Sequence, residues 1–172
     1  MSEMLRRMKA GLPLDHVEVI DMHAHAGVYN GMFVPVSTPE AFVEYMDRYG
    51  VDISCIASIP AGAPGDNHLL NDRLIAFKRF APERFRVYVT LNTNYLERMI
   101  DEIKRVRAEI DIIGVKMHVY DQMHKLTEPR FVPLLEYLQS EGLILLHHGC
   151  GGIPERCADF PDLTFFEGHF VD

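Results

Sequence analysis

Residues 17–27 read VEVIDMHAHAG, and this stretch decides the fold. Val17 to Met22 is a short, apolar and β-branched run; the pair His23 and His25 follows, and Gly27 opens a loop. Period-two alternation places Asp21, His23 and His25 on one face of a strand. Neighbours on one face lie roughly 6.5 Å apart. Two imidazoles at that spacing can lean onto one ion at metal–nitrogen distances of about 2.0–2.1 Å. A lone His-x-His is a weak signal, but its place after an apolar strand raises its value, and Asp21 is suited to orient one of the rings.

Reading outward, five more such runs follow: Ile53–Ile59, Arg86–Leu91, Ile112–Val119, Leu143–His147 and Leu163–His169. Helical patterns separate them. Thr38-Pro39-Glu40 supplies an N-cap, a proline at the first helical position and an acid in the first turn. Phe42, Tyr45, Met46 and Tyr49 then recur at helical spacing, and Gly50 suits the residue after the last turn. Asn67 to Phe80 reads as a second helix and Leu96 to Val106 as a third. Thr127-Glu128-Pro129 repeats the start signal before Phe131, Leu134, Leu135 and Leu138, with Gly142 as the stop. Ile153–Phe160 suits a short helix broken by Pro161. Strands alternating with helices build a parallel sheet.

Six strand–helix units fit either a doubly wound sheet or part of a (β/α)₈ barrel. The histidines choose between them. They fall at the carboxyl ends of strands 1, 4, 5 and 6 as His23/His25, His118, His147 and His169, where function gathers in α/β folds. In an open sheet those ends form a line, whereas in a barrel they form a ring and can converge. The expected fold is therefore an incomplete (β/α)₈ TIM-like barrel with six of its eight units. It forms one domain over residues 1–172, with residues 1–16 as an N-terminal extension.

Within strand 4, Gly114, Lys116 and His118 share one face, and Val115, Met117 and Val119 the other. Buried lysine is costly unless paired, so Lys116 is expected to find Asp21 or Glu167. In strand 5, His147 shares a face with Leu143 and Leu145 and is expected to turn inward, leaving His148 a structural role or a place behind the ligands. His169 shares a face with Phe165 and Glu167. His16, His68 and His124 sit in polar contexts and read as solvated.

Net charge is −8 and no basic cluster is present, which argues against nucleic acid or an anionic membrane surface as a partner. The expected partner is a small-molecule substrate, with assembly into a homo-oligomer left open. The three cysteines, Cys55, Cys150 and Cys157, follow no disulfide or zinc framework, which suggests reduced thiols and a cytoplasmic setting. The start, MSEMLRRMKAGLP, lacks the apolar region of a signal peptide, and no run of about 18 apolar residues predicts a membrane helix.

Five segments carry a resemblance: VIDMHAHAG, FAPERFRVYVTLN, IIGVKMHVY, LILLHHG and FPDLTFFEGHF. In order and approximate spacing they resemble the amidohydrolase superfamily, and within it the amidohydrolase-related TIM-barrel metal hydrolases and decarboxylases. The resemblance implies a divalent ion, zinc first, with manganese or iron also suited. His23 and His25 would hold it, with His147 and His169 as further ligands that also serve catalysis. Lys116 would occupy the position that is carboxylated and bridges two metals in binuclear relatives. The resemblance also implies strands 7 and 8, the last carrying an aspartate that binds metal and handles the proton of the attacking water. The sequence stops at Asp172, too soon after His169 to be that residue, so the expectation is a partial barrel with weak or no activity of its own.

The implied reaction is hydrolysis of a C–O or C–N bond by a water whose pKa the ion lowers to about 7, with His147 or His169 moving protons. Loops Val28–Ser37, Ala61–Asp66 and Tyr120–Leu126 would shape the pocket, with Tyr29, Phe33 and His118 against the substrate. The alternatives are a zinc-dependent decarboxylase of the same family, for which no arginine is evident at a strand end, and an inactive metal-binding fragment.

Overall fold

The computed structural model describes residues 2–28, 33–34, 37–58, 67–149 and 151–169. Six parallel strands lie side by side in chain order: β1 Ile20–Ala26, β2 Ile53–Ser58, β3 Phe85–Thr90, β4 Gly114–Met117, β5 Ile144–His147 and β6 Phe165–Glu167. Helix α1 Glu3–Lys9 precedes the sheet, and α2 Pro39–Tyr49, α3 Asn67–Phe80, α4 Leu96–Arg107, α5 Val132–Ser140 and α6 Ile153–Asp159 join successive strands. This is an incomplete α/β barrel of the TIM type.

Local chemistry explains most boundaries. Thr38 Oγ1 accepts from the Ala41 amide at 3.3 Å, Pro39 opens α2, and Gly50 closes it at φ 67°. Gly142 ends α5 at φ 64°. The start of α5 differs from expectation: a 3₁₀ turn over Pro129–Phe131 comes first, and the cap position is Glu128 rather than Thr127. Glu128 Oε1 instead accepts from the Lys125 amide at 2.6 Å, holding the turn that leads in. Helix α1 lies within the N-terminal extension; Ser2 caps it, and it buries no residue.

Two faces of the sheet carry different cores. On the outer face, Val89, Val115, Met117 and Leu145 pack with Met99, Ile103 and Val106 of α4 and Leu134, Leu135 and Leu138 of α5. Ala24, Ala26, Ile56 and Val87 pack with Met46, Leu74 and Phe77. Burying each large side chain stabilises by about 1.5–3 kcal/mol. On the inner face, Met22, Cys55, Ala57, Tyr88, Leu146 and Phe166 form a separate cluster.

Strand β1 departs most from its expected form. It starts at Ile20, because Val19 is held by the side chain of Asp52, whose Oδ2 accepts from its amide at 2.7 Å. It runs to Ala26, so both histidines lie inside the strand. Asp21 pairs with Ser54 and Ala24 with Ile56, leaving Met22 and His23 together opposite Cys55. Two residues facing one is a β-bulge, which breaks the alternation. Met22 joins the inner cluster before the bulge and Ala24 the outer core after it. Asp21 therefore does not share a face with the histidines; its Oδ1 accepts from the His23 amide at 3.0 Å instead.

Beyond the Ile56–Val87 pair, side chains continue the contact between β2 and β3. Thr90 Oγ1 accepts from the Ser58 amide at 3.0 Å. Asn71 of α3 clamps the Thr90 backbone, accepting from its amide at 2.9 Å and donating to its carbonyl at 3.1 Å, and donates again to Glu102 at 2.8 Å. Among the described residues, no helix is long and apolar enough to cross a membrane.

Candidate metal centre

The bulge in β1 delivers His23 and His25 to the carboxyl-end mouth of the sheet. His23 is fixed from both sides. Its Nδ1 lies 3.2 Å from the carbonyl of Gly168, just past β6, and the Lys116 ammonium lies 3.1 Å from its Nε2. Nδ1–H donating to a carbonyl sets the tautomer and leaves the Nε2 lone pair pointing inward, as metal-binding histidines require. Lys116 on β4 is fully buried and directs its ammonium at that nitrogen.

From His23 the imidazoles run around the mouth in contact. Ring centroids are 4.8 Å apart for His23 and His25, 5.1 Å for His23 and His169, and 4.3 Å for His148 and His169. His118 then stacks on His148 at 4.1 Å, and its Nδ1 meets Asp121 Oδ2 at 2.9 Å. His25 Nδ1, His118 Nε2 and His148 Nδ1 are buried without a hydrogen-bond partner. Buried orphan nitrogens are costly, and a bound cation satisfies them, so the donor set fits a divalent metal. His118, Asp121 and His148 each offer a ligand atom within 4.8 Å of the other two.

The structure brings His23, His25, His118, Lys116 and His169 together, but turns β5 the other way from expectation. His147 pairs with Met117 and Glu167, and Met117, Leu143 and Leu145 all belong to the outer core. His147 is fully buried, accepts from the Gly149 amide at 3.2 Å and lies 3.6 Å from Glu167. His148 is the β5 histidine that joins the ring cluster. Period two already placed His147 with Leu143 and Leu145, and those leucines face the helices. His148 thus takes the place expected of His147, and Asp121 is a further site residue, signalled in the sequence by an acid three residues after His118.

Burial sets the protonation states. Desolvation lowers His25 to about 3, His118 to about 3, and His23 and His147 to about 4, with the Lys116 charge adding to each. Asp121 opposes the shift of His118. His148 is lowered by the same causes. Burial brings Lys116 down to about 8, against the pull of Glu167 and Asp121. His23, His25, His118 and His148 are thus neutral near pH 7, ready to ligate without first losing protons.

Two features hold the cluster's frame. Buried Arg156 of α6 donates to the carbonyls of Leu126 at 3.0 Å and Glu128 at 3.1 Å, pinning the segment after His118. Gly168 leaves space for the His23 ring: a Cβ there would stand 2.6 Å from His23 Cε1.

Other expectations are revised. Lys116 makes no ion pair with Asp21 or Glu167; its close partner is His23. Phe33 is 91% exposed, so it forms no pocket wall here, and Tyr29 lies outside the described residues, as do Ala61–Asp66. His68 is not merely solvated, since its Nδ1 meets buried Glu102 at 2.6 Å. His124 is largely covered, near Asn94 and against the Phe131 ring.

Six parallel β/α units with imidazoles gathered at the strands' carboxyl ends define a histidine-lined α/β barrel of the TIM type. The amidohydrolase family profile matches residues 20–170, and the chain belongs to that family. Among solved structures, an amidohydrolase II aligns over 86% of this chain and 65% of its own length, at TM-score 0.70 and 14% identity. The 5-carboxyvanillate decarboxylase of Sphingomonas paucimobilis aligns over 86% and 66%, at TM-score 0.66 and 14% identity. The 4-oxalomesaconate hydratase of Rhodopseudomonas palustris aligns over 86% and 61%, at TM-score 0.63 and 14% identity. At such identities the likeness is one of fold, and the chain spans about two thirds of the length of these structures. No curated protein matches the sequence.

Proposed function

We propose that this chain forms the histidine-bearing part of a metal-dependent hydrolase that cleaves a C–O or C–N bond of a small molecule. The observation that carries the reading is His23, whose tautomer is set by the Gly168 carbonyl and whose inward nitrogen faces the Lys116 ammonium. His23 and His25, with His169 alongside, are the residues that would hold the ion; imidazole donors suit zinc first, then manganese or iron. When bound, such an ion supplies Lewis acidity and a water acidic enough to react near neutral pH.

The chain's own residues do the rest. Gly168 keeps the proton of His23 on Nδ1. Lys116, whose ammonium faces His23 Nε2, must swing aside or lose its proton to yield its place to a cation, and burial lowers the cost of losing it. His169, in ring contact with both His23 and His148, stands where a proton is passed or a substrate oxygen polarised. His147, packed beside Glu167, positions the end of β5. The substrate is a small molecule in a cytoplasmic setting, without nucleic acid or membrane.

A second reading is a decarboxylase, supported by the fold likeness to 5-carboxyvanillate decarboxylase. Ester and lactone cleavage, measured beside carbon dioxide release from aromatic acids in zinc-loaded protein, separates the two. The hydrolase reading expects slow zinc-dependent cleavage that His23→Ala abolishes. Carbon dioxide release without cleavage favours the lyase, and cleavage unchanged in His23→Ala contradicts both.

A further inference from the structure

The ring cluster has a second end, on the far side of His169 from His23. There His118 leaves β4, Asp121 sits in the turn that follows, and His148 closes β5. One ligand atom from each lies within 4.8 Å of the other two. The Asp121 carboxylate is already 2.9 Å from His118 Nδ1, about the separation of adjacent ligands on one divalent ion. His118 is 5% exposed, and its Nε2 and the Nδ1 of His148 are buried with no partner. Such orphan nitrogens mark an unfilled requirement. The two rings stack at 4.1 Å, and the broad final torsion of histidine lets either ring turn a nitrogen toward the carboxylate.

We propose that His118, Asp121 and His148 form a second divalent-cation site, separate from the one begun by His23 and His25. Two imidazoles and one carboxylate leave coordination positions open and suit zinc, manganese, iron or cobalt better than calcium or magnesium. The ion replaces the hydrogen bond between His118 Nδ1 and Asp121: a turn of the His118 ring brings its unpartnered Nε2 to the ion, beside the Asp121 carboxylate and His148 Nδ1. The turn that carries Asp121 is held for this by Arg156, whose guanidinium binds the Leu126 carbonyl, and by the Gln122 amide on His118's carbonyl at 3.2 Å. The site stands on its own residues and does not depend on the ion assigned to His23 and His25.

The test is metal stoichiometry and affinity in the full 172-residue chain. Chelator-stripped protein is titrated with zinc by calorimetry, and with cobalt while its visible absorption is followed. Wild type, His118→Ala, Asp121→Asn and His25→Ala are compared, with circular dichroism reporting the fold. Asp121 is exposed, so Asp121→Asn keeps the test valid if His118→Ala unfolds. The expected result is two ions per chain in wild type. His118→Ala loses one, Asp121→Asn weakens one by at least about tenfold, and His25→Ala retains that one. Unchanged stoichiometry and affinity in Asp121→Asn and in folded His118→Ala overturns the site. Loss of an ion in Asp121→Asn with none lost in His25→Ala supports this site and removes the other.

Discussion

His23 on β1 and Gly168 just beyond β6 stand at opposite ends of the sheet and 145 residues apart, yet Nδ1 of one lies 3.2 Å from the carbonyl of the other. The sheet therefore curls far enough for its first and last strands to meet at the mouth, and the site depends on that meeting.

Gly168→Ala tests it. The added Cβ would lie 2.6 Å from His23 Cε1 and must displace the ring. We expect a loss of about 1–3 kcal/mol in urea unfolding, typical of overpacking, and zinc affinity at the His23 site lowered by at least about tenfold. Unchanged affinity would mean that Gly168 does not set the His23 ring.

Lys116→Met should separate stability from function. A buried ammonium whose pKa falls from 10.5 to about 8 destabilises the fold at pH 7, where the unfolded chain carries the same charge in water. That cost is present below about pH 8 and disappears as pH rises past 10.5, and it is worth roughly 3 kcal/mol at most. The variant should unfold at a higher temperature than wild type at pH 7, with the gain shrinking by pH 10. Lower stability at pH 7 would show that the contact with His23 outweighs the burial of charge.

How much of this was legible beforehand divides at β1 and β5. The six strands, the α2 caps at Thr38 and Gly50 and the inward face of Lys116 and His118 follow from local rules, because period and capping are properties of short segments. The β1 bulge is not such a property: it exists because two residues, Met22 and His23, meet one on the neighbouring strand. Nor does alternation say which face of β5 turns inward. His147 and Leu145 share a face, and only packing against α4 and α5 makes it the outer one. Strand-end histidines point to a ring at the mouth, whereas the choice of His148 over His147 and the approach of Asp121 to His118 depend on three-dimensional packing.

Acid should unfold the protein early. Unfolded histidines take up protons near pH 6.5, while in the fold His25 and His118 stay neutral to about 3 and His23 to about 4. Between about pH 6.5 and 4 the unfolded chain binds more protons, so stability falls as pH falls, by up to about 1.4 kcal/mol per pH unit for each buried ring and less for the partly exposed ones. Urea midpoints across that window should decline for wild type and less steeply for His118→Gln. Parallel declines would remove His118 from the account.

Asn71→Ala should be among the more damaging single changes outside the site. It strands the Thr90 backbone and removes a donor from buried Glu102. Leaving buried groups unpaired costs about 1–3 kcal/mol each, so we expect a loss of about 2–4 kcal/mol in urea unfolding with zinc stoichiometry unchanged in the folded protein. A loss below about 0.5 kcal/mol would show that water replaces the clamp.

The central claim is that His23 and His25 hold a divalent ion. Elemental analysis after dialysis against zinc tests it most directly, comparing wild type with a folded His23→Ala/His25→Ala double variant. The double variant should retain one zinc per chain fewer than wild type. Equal zinc content in the two proteins would contradict it.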